Sequence, residues 1–423
     1  MNKSISKIAK SFSAKIIAFV GFYVCDIILA RGLCVNDYAE WAYFFSIVSI
    51  VLWISNFGIS LTIRTMVAKE ENIKKRKYYI NCGIVLRFVV SIIFSMGFFM
   101  LSNRISVISG WPEQYPHLIV LIRTGAFLPM FMAFTELWKD IFIGSAQLGS
   151  LMIIAVCEHI GYACGCLLGV SITGDVMGAL LGYYIGYMFA TIGGIYLAKV
   201  SFQGFRLSER TRKDIAMIFR SAIPYVVTCI IAFVILEMDT VMIGVFRVGN
   251  AELANYTVAK KIIQKAVNVN EAFLYAMLPR FATVKGDTYI ETYKSFKKIR
   301  NCNISITLLV GFGVGAILTV LVPVMYGEDY GQVSTFLIAL LPAYLCNGIA
   351  QCYMQFLYYR EKARIVSICY SLSFVINLTM NWILIPQMGA LGAAVGTVFA
   401  LMPFTLLLAL YTRIEWKNIK SGK

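Results

Sequence analysis

The stretch Ala30-Arg31-Gly32-Leu33, followed by Asp37-Tyr38-Ala39-Glu40-Trp41, decides how the chain is organised, because its pattern returns. In the second half Phe246-Arg247-Val248-Gly249 leads into Ala251-Glu252-Leu253-Ala254-Asn255-Tyr256, and Arg247 stands 216 positions after Arg31. Two other pairs keep nearly the same offset. Gly178 and Gly182 correspond to Gly392 and Gly396, 214 positions on, and a glycine precedes an acidic loop at Gly110 and at Gly327, 217 positions on. Each match is weak alone. A shared offset near half of the 423 residues is what an internal duplication leaves behind.

The two halves are written in an apolar alphabet. Hydrophobic residues make up 59% of the chain, charged residues only 14%, and the mean hydropathy is +0.74. A soluble domain carries about 25% charged residues, so this chain lacks the polar surface to meet water and its solvent is lipid. The formal charge of +16 does not point to a nucleic-acid partner, because basic residues collect in the cytoplasmic loops of membrane proteins and set their orientation. The eleven cysteines form no CxxC pair and read as small apolar fillers.

A bilayer core needs about 20 apolar residues per helix. Such runs fall at about 15–34, 42–63, 79–101, 118–138, 151–170 and 176–198 in the first half. In the second half they fall at about 222–246, 253–279, 303–325, 333–358, 365–386 and 390–412. The sequence predicts an all-α integral membrane protein with twelve transmembrane helices in two six-helix bundles. The bundles are 1–198 and 222–423, joined by a basic cytoplasmic linker, 199–221. The first run follows Lys3, Lys7 and Lys10 but is long and lacks a cleavage site, so it reads as a retained span. With the N-terminus inside, about 30 Lys and Arg fall on the cytoplasmic side against about three outside, and both termini are cytoplasmic. A repeat of six helices keeps its orientation, so the halves are related by an axis along the membrane normal and enclose a cavity. No outer loop is long enough for an extramembrane catalytic domain, and no Walker, HExxH or Ser-His-Asp pattern occurs. No catalytic residue and no metal site is expected. Gly161, Gly165 and Gly169, and Gly178, Gly182 and Gly186, recur every four residues and predict close helix packing.

Polar residues within the spans each need a reason, since a charge at helix centre costs about 2.5–3.5 kcal/mol on insertion scales. In the eighth span Lys261, Gln264, Lys265, Asn268 and Glu271 share one helical face, which predicts a wet cavity lined with cations. Its repeat partner, the second span, carries Ser46, Ser49, Trp53, Asn56 and Ser60 on one face, continued by Arg64. Arg87 and Arg123 lie within spans three and four and are candidate ligand contacts that are also placed to snorkel. Asp26, Glu158, Glu237 and Asp239 are the candidate acids for carrying a coupling ion or pairing with a cation such as Arg87 or Lys261. His159 reads as a packing residue.

The segment from Arg31 to Trp53, Asn56-Phe57-Gly58, the run from Pro224 through Asp239 to Gly244, Ala254 to Lys261, Tyr326-Gly327-Glu328-Asp329-Tyr330, and Asn377 through Pro386 to Gly396 together carry a resemblance. The chain resembles the polysaccharide exporters of the multidrug/oligosaccharidyl-lipid/polysaccharide superfamily, in the O-antigen flippase (Wzx-type) branch, over nearly its whole length. The resemblance implies a MATE-like fold. It also implies transfer of an undecaprenyl-diphosphate-linked oligosaccharide from the inner to the outer leaflet of the bacterial inner membrane. Arg31, Arg64, Lys261 and Lys265 match by position the cations such a family would set against a diphosphate. Membrane lipids and glycan polymerase machinery are the other partners implied. H+ or Na+ are candidate coupling ions, but the inside-negative potential already favours outward movement of two negative charges by roughly 4–5 kcal/mol per 100 mV. Three alternatives stand beside this reading. One is a lipid II flippase, although such chains usually carry extra helices. A cation-coupled drug antiporter of the same fold would favour acids over cations in the cavity. A membrane glycan polymerase would need a large outer loop.

Overall fold

The computed structural model describes residues 20–21, 23–202, 212–282, 289–360 and 362–420, and its regular elements there are helices. Contacts group the chain into two units, Met1–Glu237 and Met238–Lys423. The expected linker 199–221 falls partly on 203–211, outside the described residues, as does the start of the first expected span.

In the first unit α1 covers 23–32, α2 Val35–Asn56, α3 Ile59–Lys69, α4 Ile73–Met100, α5 Ser102–Ile108, α6 Leu118–Gly125, α7 Leu128–Gly144, α8 Leu148–Thr173 and α9 Val176–Ser201. The start of α10, Arg212–Val245, also groups with it. The second unit holds the end of α10 and α11 Asn250–Ala282, α12 Tyr289–Gly313, α13 Thr319–Tyr326, α14 Val333–Tyr359, α15 Ala363–Met388 and α16 Ala390–Lys420, with a π-helical turn, Val314–Leu318, between α12 and α13.

Local chemistry sets the helix boundaries. The Asp175 carboxylate accepts from Met177 N at 3.0 Å and caps α9, while Gly174 at φ 69° ends α8. Asn72 caps α4 by accepting from Lys74 N at 2.9 Å. The expected second span is two helices rather than one. Phe57 at φ 45° and Gly58 at φ 66° break it, so the Asn56-Phe57-Gly58 stretch acts as a hinge between α2 and α3. The expected fourth span is likewise the pair α6 and α7, bent by 46°.

Eight described helices are long and apolar enough to cross a membrane, or nine if that bent pair is one span. Their outward faces carry residues that water would reject. Ile172 is 81% exposed, Leu309 and Phe312 are each 73% exposed, and Val320 is 70% exposed. Such surfaces are tolerated where the surrounding medium is hydrocarbon. The chain is thus a multi-pass membrane protein.

Each unit keeps its own apolar core. In the first, Ile63, Ile80, Trp138, Ile141 and Phe142 are buried together. In the second, Phe296, Phe356 and Trp416 cluster with ring centroids 4.7 to 5.6 Å apart, Phe356 stacked on Trp416 and Phe296 tilted against both.

The glycine rows pack α8 against α9 as expected. A Cβ on Gly161 would lie 2.9 Å from Gly186 Cα, and one on Gly165 would lie 2.9 Å from Gly182 Cα. The obstacle is backbone, so neither neighbour can turn aside. Gly165→Ala should therefore separate the hairpin and cost about 1–3 kcal/mol despite alanine's better helix propensity. Gly97→Ala is the matched control, because a Cβ there meets nothing within 4 Å. Thermal unfolding in detergent should show a lowered Tm for the first variant and an unchanged or raised Tm for the second.

Candidate functional site

In the second unit α11 carries both faces of the argument. Ile262, Ile263, Ala266 and Val267 are buried in its core. Between them Lys261, Gln264 and Lys265 are half-buried and Asn268 is exposed, so the polar line lies on the side turned away from that core. Glu271, also half-buried, accepts from Gln351 Nε2 at 3.4 Å. Lys260, one position before the line, is buried and donates instead to Thr240. Asn270, fully buried, donates to Thr307 Oγ1 at 2.6 Å and accepts from Tyr344 O–H at 3.1 Å, which fixes α11 on α12 and α14.

Asp239, near the end of α10, is only 4% exposed. Its carboxylate accepts from Tyr256 O–H at 2.9 Å, Asn381 Nδ2 at 2.6 Å and Thr397 O–H at 2.7 Å. Among the described residues, then, its donors are neutral and come from α11, α15 and α16. Asn381 Nδ2 also donates to Asn377 Oδ1 at 3.2 Å, while Asn381 Oδ1 is buried with no hydrogen-bond partner among the described residues. The result is a buried carboxylate held by three neutral donors from three helices.

The first unit repeats one part of this. Asp26 on α1, 2% exposed, accepts from Tyr38 O–H of α2 at 3.0 Å, as Asp239 does from Tyr256. The other sequence candidates there have different surroundings. Arg31, at the end of α1, is exposed. Arg64 pairs with Asp140 at 3.6 Å. Arg123 is exposed and donates to Asn103 Oδ1 at 2.9 Å. Glu237 accepts from Ser46 O–H at 2.9 Å; Ser49 and Asn56 on the same α2 face as Ser46 are buried, as is Ser60, which the break places on α3.

Arg87 is fully buried and forms no ion pair among the described residues. Its Nη1 donates to Ser55 O at 2.7 Å and its Nε to Ala133 O at 3.5 Å. Ser55 lies in the last turn of α2, where backbone carbonyls lose their intrahelical donors, so the guanidinium serves the hinge.

Within its unit Glu158 pairs with Lys139 at 2.7 Å rather than with Arg87, and Lys139 also meets Glu136 at 2.9 Å. Sequence reading passed over Lys139 because the expected fourth span ended one residue before it. The signal was the spacing Glu136, Lys139, Asp140 on a helix that runs on to Gly144.

The comparisons agree with this architecture. The structure is similar to an inward-facing multidrug resistance MATE family transporter of the MOP superfamily, with a TM-score of 0.77 at 13% identity, covering 98% of this chain and 99% of that one. It is similar to the lipid II flippase MurJ in an inward closed conformation, with a TM-score of 0.75 at 12% identity, covering 98% and 90%. It is similar to a eukaryotic MATE transporter, with a TM-score of 0.71 at 15% identity, covering 100% and 97%. No curated protein sequence matches the chain. At these identities the likeness fixes the fold, which is MATE-like. The family model described as "Polysaccharide biosynthesis protein" matches residues 3–285, well over half of the chain, and so the protein belongs to that polysaccharide biosynthesis family.

Proposed function

We propose that the protein is a flippase that carries an undecaprenyl-diphosphate-linked oligosaccharide, an O-antigen or similar surface-glycan repeat unit, from the cytoplasmic to the periplasmic leaflet by alternating access. In this reading it is not an enzyme, it has twelve spans with both termini cytoplasmic, and it resides in the bacterial inner membrane. The carrying observation is the α11 line. Lys261, Gln264, Lys265 and Asn268 lie on the side of the helix turned from the core, where a lipid-facing position would be costly. A sugar-bearing diphosphate cannot enter hydrocarbon unless cations meet its charge, and amides alongside suit its hydroxyls. Membership of a polysaccharide biosynthesis family and a fold shared with a lipid II flippase support the same substrate class.

Complementation is the direct test. The chain is expressed in bacterial strains that each lack their own surface-glycan flippase, and surface glycan and lipid-linked intermediates are scored. Restored display with falling intermediates is the expected result. Failure in every strain, together with acquired resistance to cationic drugs and no binding of a diphosphate-linked lipid, would give the antiporter reading its place. That rival draws its own support from Asp239, an acid without a cationic partner among the described residues. In the flippase reading Asp239 is the group that takes up a coupling H+ or Na+. Asp26, Glu158 and Glu237 hold structural bonds.

A further inference from the structure

The first turns of α2 carry a polar constellation that the transport reading leaves unused. Asp37 and Glu40 are three residues apart and share a helical face. His117 precedes α6, and its Nδ1 lies 3.2 Å from Glu40 Oε2. One ligand atom from each of Asp37, Glu40 and His117 lies within 4.8 Å of the others. Glu40 is 1% exposed, and its Oε1 is buried with no hydrogen-bond partner among the described residues. The His117 side chain is 48% exposed, so the group is closed on one side and open on the other.

Its frame is well held. One turn along α2, Tyr43 stacks on Tyr115 at 5.0 Å and shares a hydrogen bond with Ser109 Oγ at 2.6 Å. The segment before α6 is thereby docked on α2 at the level of Glu40.

The arrangement is poorly balanced without a cation. Two carboxylates at this separation repel, and a buried carboxylate oxygen lacking a donor carries an uncompensated desolvation cost. The His117 ring nitrogen faces Oε2 and leaves Oε1 unserved. A divalent ion would satisfy both carboxylates and the imidazole together. We propose that Asp37, Glu40 and His117 bind a divalent transition-metal ion of the Zn2+ class, with water in the open position. One imidazole and two carboxylates within one ligand sphere match three-ligand zinc sites, and the imidazole disfavours Mg2+ and Ca2+. The bound ion would clip the start of α6 to the start of α2. Positions 37, 40 and 117 follow no zinc spacing, so only the fold brings these ligands together.

The test uses the purified full-length chain in detergent, stripped with chelator and titrated with Zn2+ or Co2+ alone. Zn2+ should raise Tm and saturate at one ion per chain, and Mg2+ should not reproduce the rise. Co2+ should give a ligand-field spectrum without a thiolate charge-transfer band. His117→Ala and Asp37→Asn, both at positions that are not buried, should keep the chelated wild-type Tm and lose the Zn2+ shift. No shift in the wild type, a shift that survives His117→Ala, or a thiolate band placing the ion on cysteines would each overturn the proposal.

Discussion

Replacing Lys261 and Lys265 together by alanine should abolish surface glycan display while leaving folded protein in the membrane. The expectation of retained folding rests on burial: both lysines are only half-buried, while Ile262, Ile263, Ala266, Val267 and Asn270, which pack α11 in its unit, are unchanged. The expectation of lost transport rests on charge. A charge-assisted hydrogen bond to a phosphate is worth about 1.5–3 kcal/mol, so each lysine removed should weaken diphosphate binding by about ten- to a hundredfold. Single variants should fall between wild type and the double variant, and Lys265→Arg should retain more transport than Lys265→Gln. Lipid-linked intermediates should accumulate in step with the loss of display. Normal display by the double variant would remove α11 from the substrate path, whatever the fold.

The face of α11 was legible because a helix of 3.6 residues per turn stamps its period on the sequence, and five polar residues at steps of three and four are hard to place in lipid. The glycine rows were legible for the same reason. Features made by backbone angles were not. Hydropathy runs straight through Asn56-Phe57-Gly58, and nothing in it tells a hinge at φ 45° and 66° from a continuous helix. The bend between α6 and α7 and the π turn at Val314–Leu318 were hidden in the same way. Features made by long-range pairing were only half legible. Asp26, Glu158 and Asp239 stood out as acids in apolar runs, but their partners did not. Glu158 meets Lys139 rather than Arg87, and Glu40 meets His117 from 77 positions away. An isolated charge marks a site in sequence, but tertiary packing alone chooses what faces it.

Asp239 gives the second large effect, and two substitutions separate its roles. Asp239→Leu strips the acceptor from Tyr256, Asn381 and Thr397 at once. Asn381 Nδ2 and Thr397 O–H keep second acceptors in Asn377 Oδ1 and Ala393 O, but a three-helix junction loses its shared anchor, and losses of about 1–3 kcal/mol per weakened buried bond should lower the yield of folded protein. Asp239→Asn is nearly the same shape and keeps an acceptor oxygen, so it should fold. It should also behave as a permanently neutralised site. If Asp239 takes up the coupling ion, transport by the Asn variant should drop at least about tenfold and lose its response to collapse of the H+ or Na+ gradient, while the response to membrane potential persists. The surrounding atoms make Na+ the sharper test. Asn377 Oδ1, Thr397 Oγ1 and Asn381 Oδ1, the last without a hydrogen-bond partner among the described residues, belong to the same network as the carboxylate, and a rearrangement that turned them onto it would suit a monovalent hard cation as well as a proton. Transport by the wild type that depends on Na+ at constant pH would select Na+. Dependence on pH at constant Na+ would select H+. Wild-type transport with an intact gradient response in Asp239→Asn would leave the anion as a purely structural acceptor for three helices, and the electrical driving force on the diphosphate would then suffice alone.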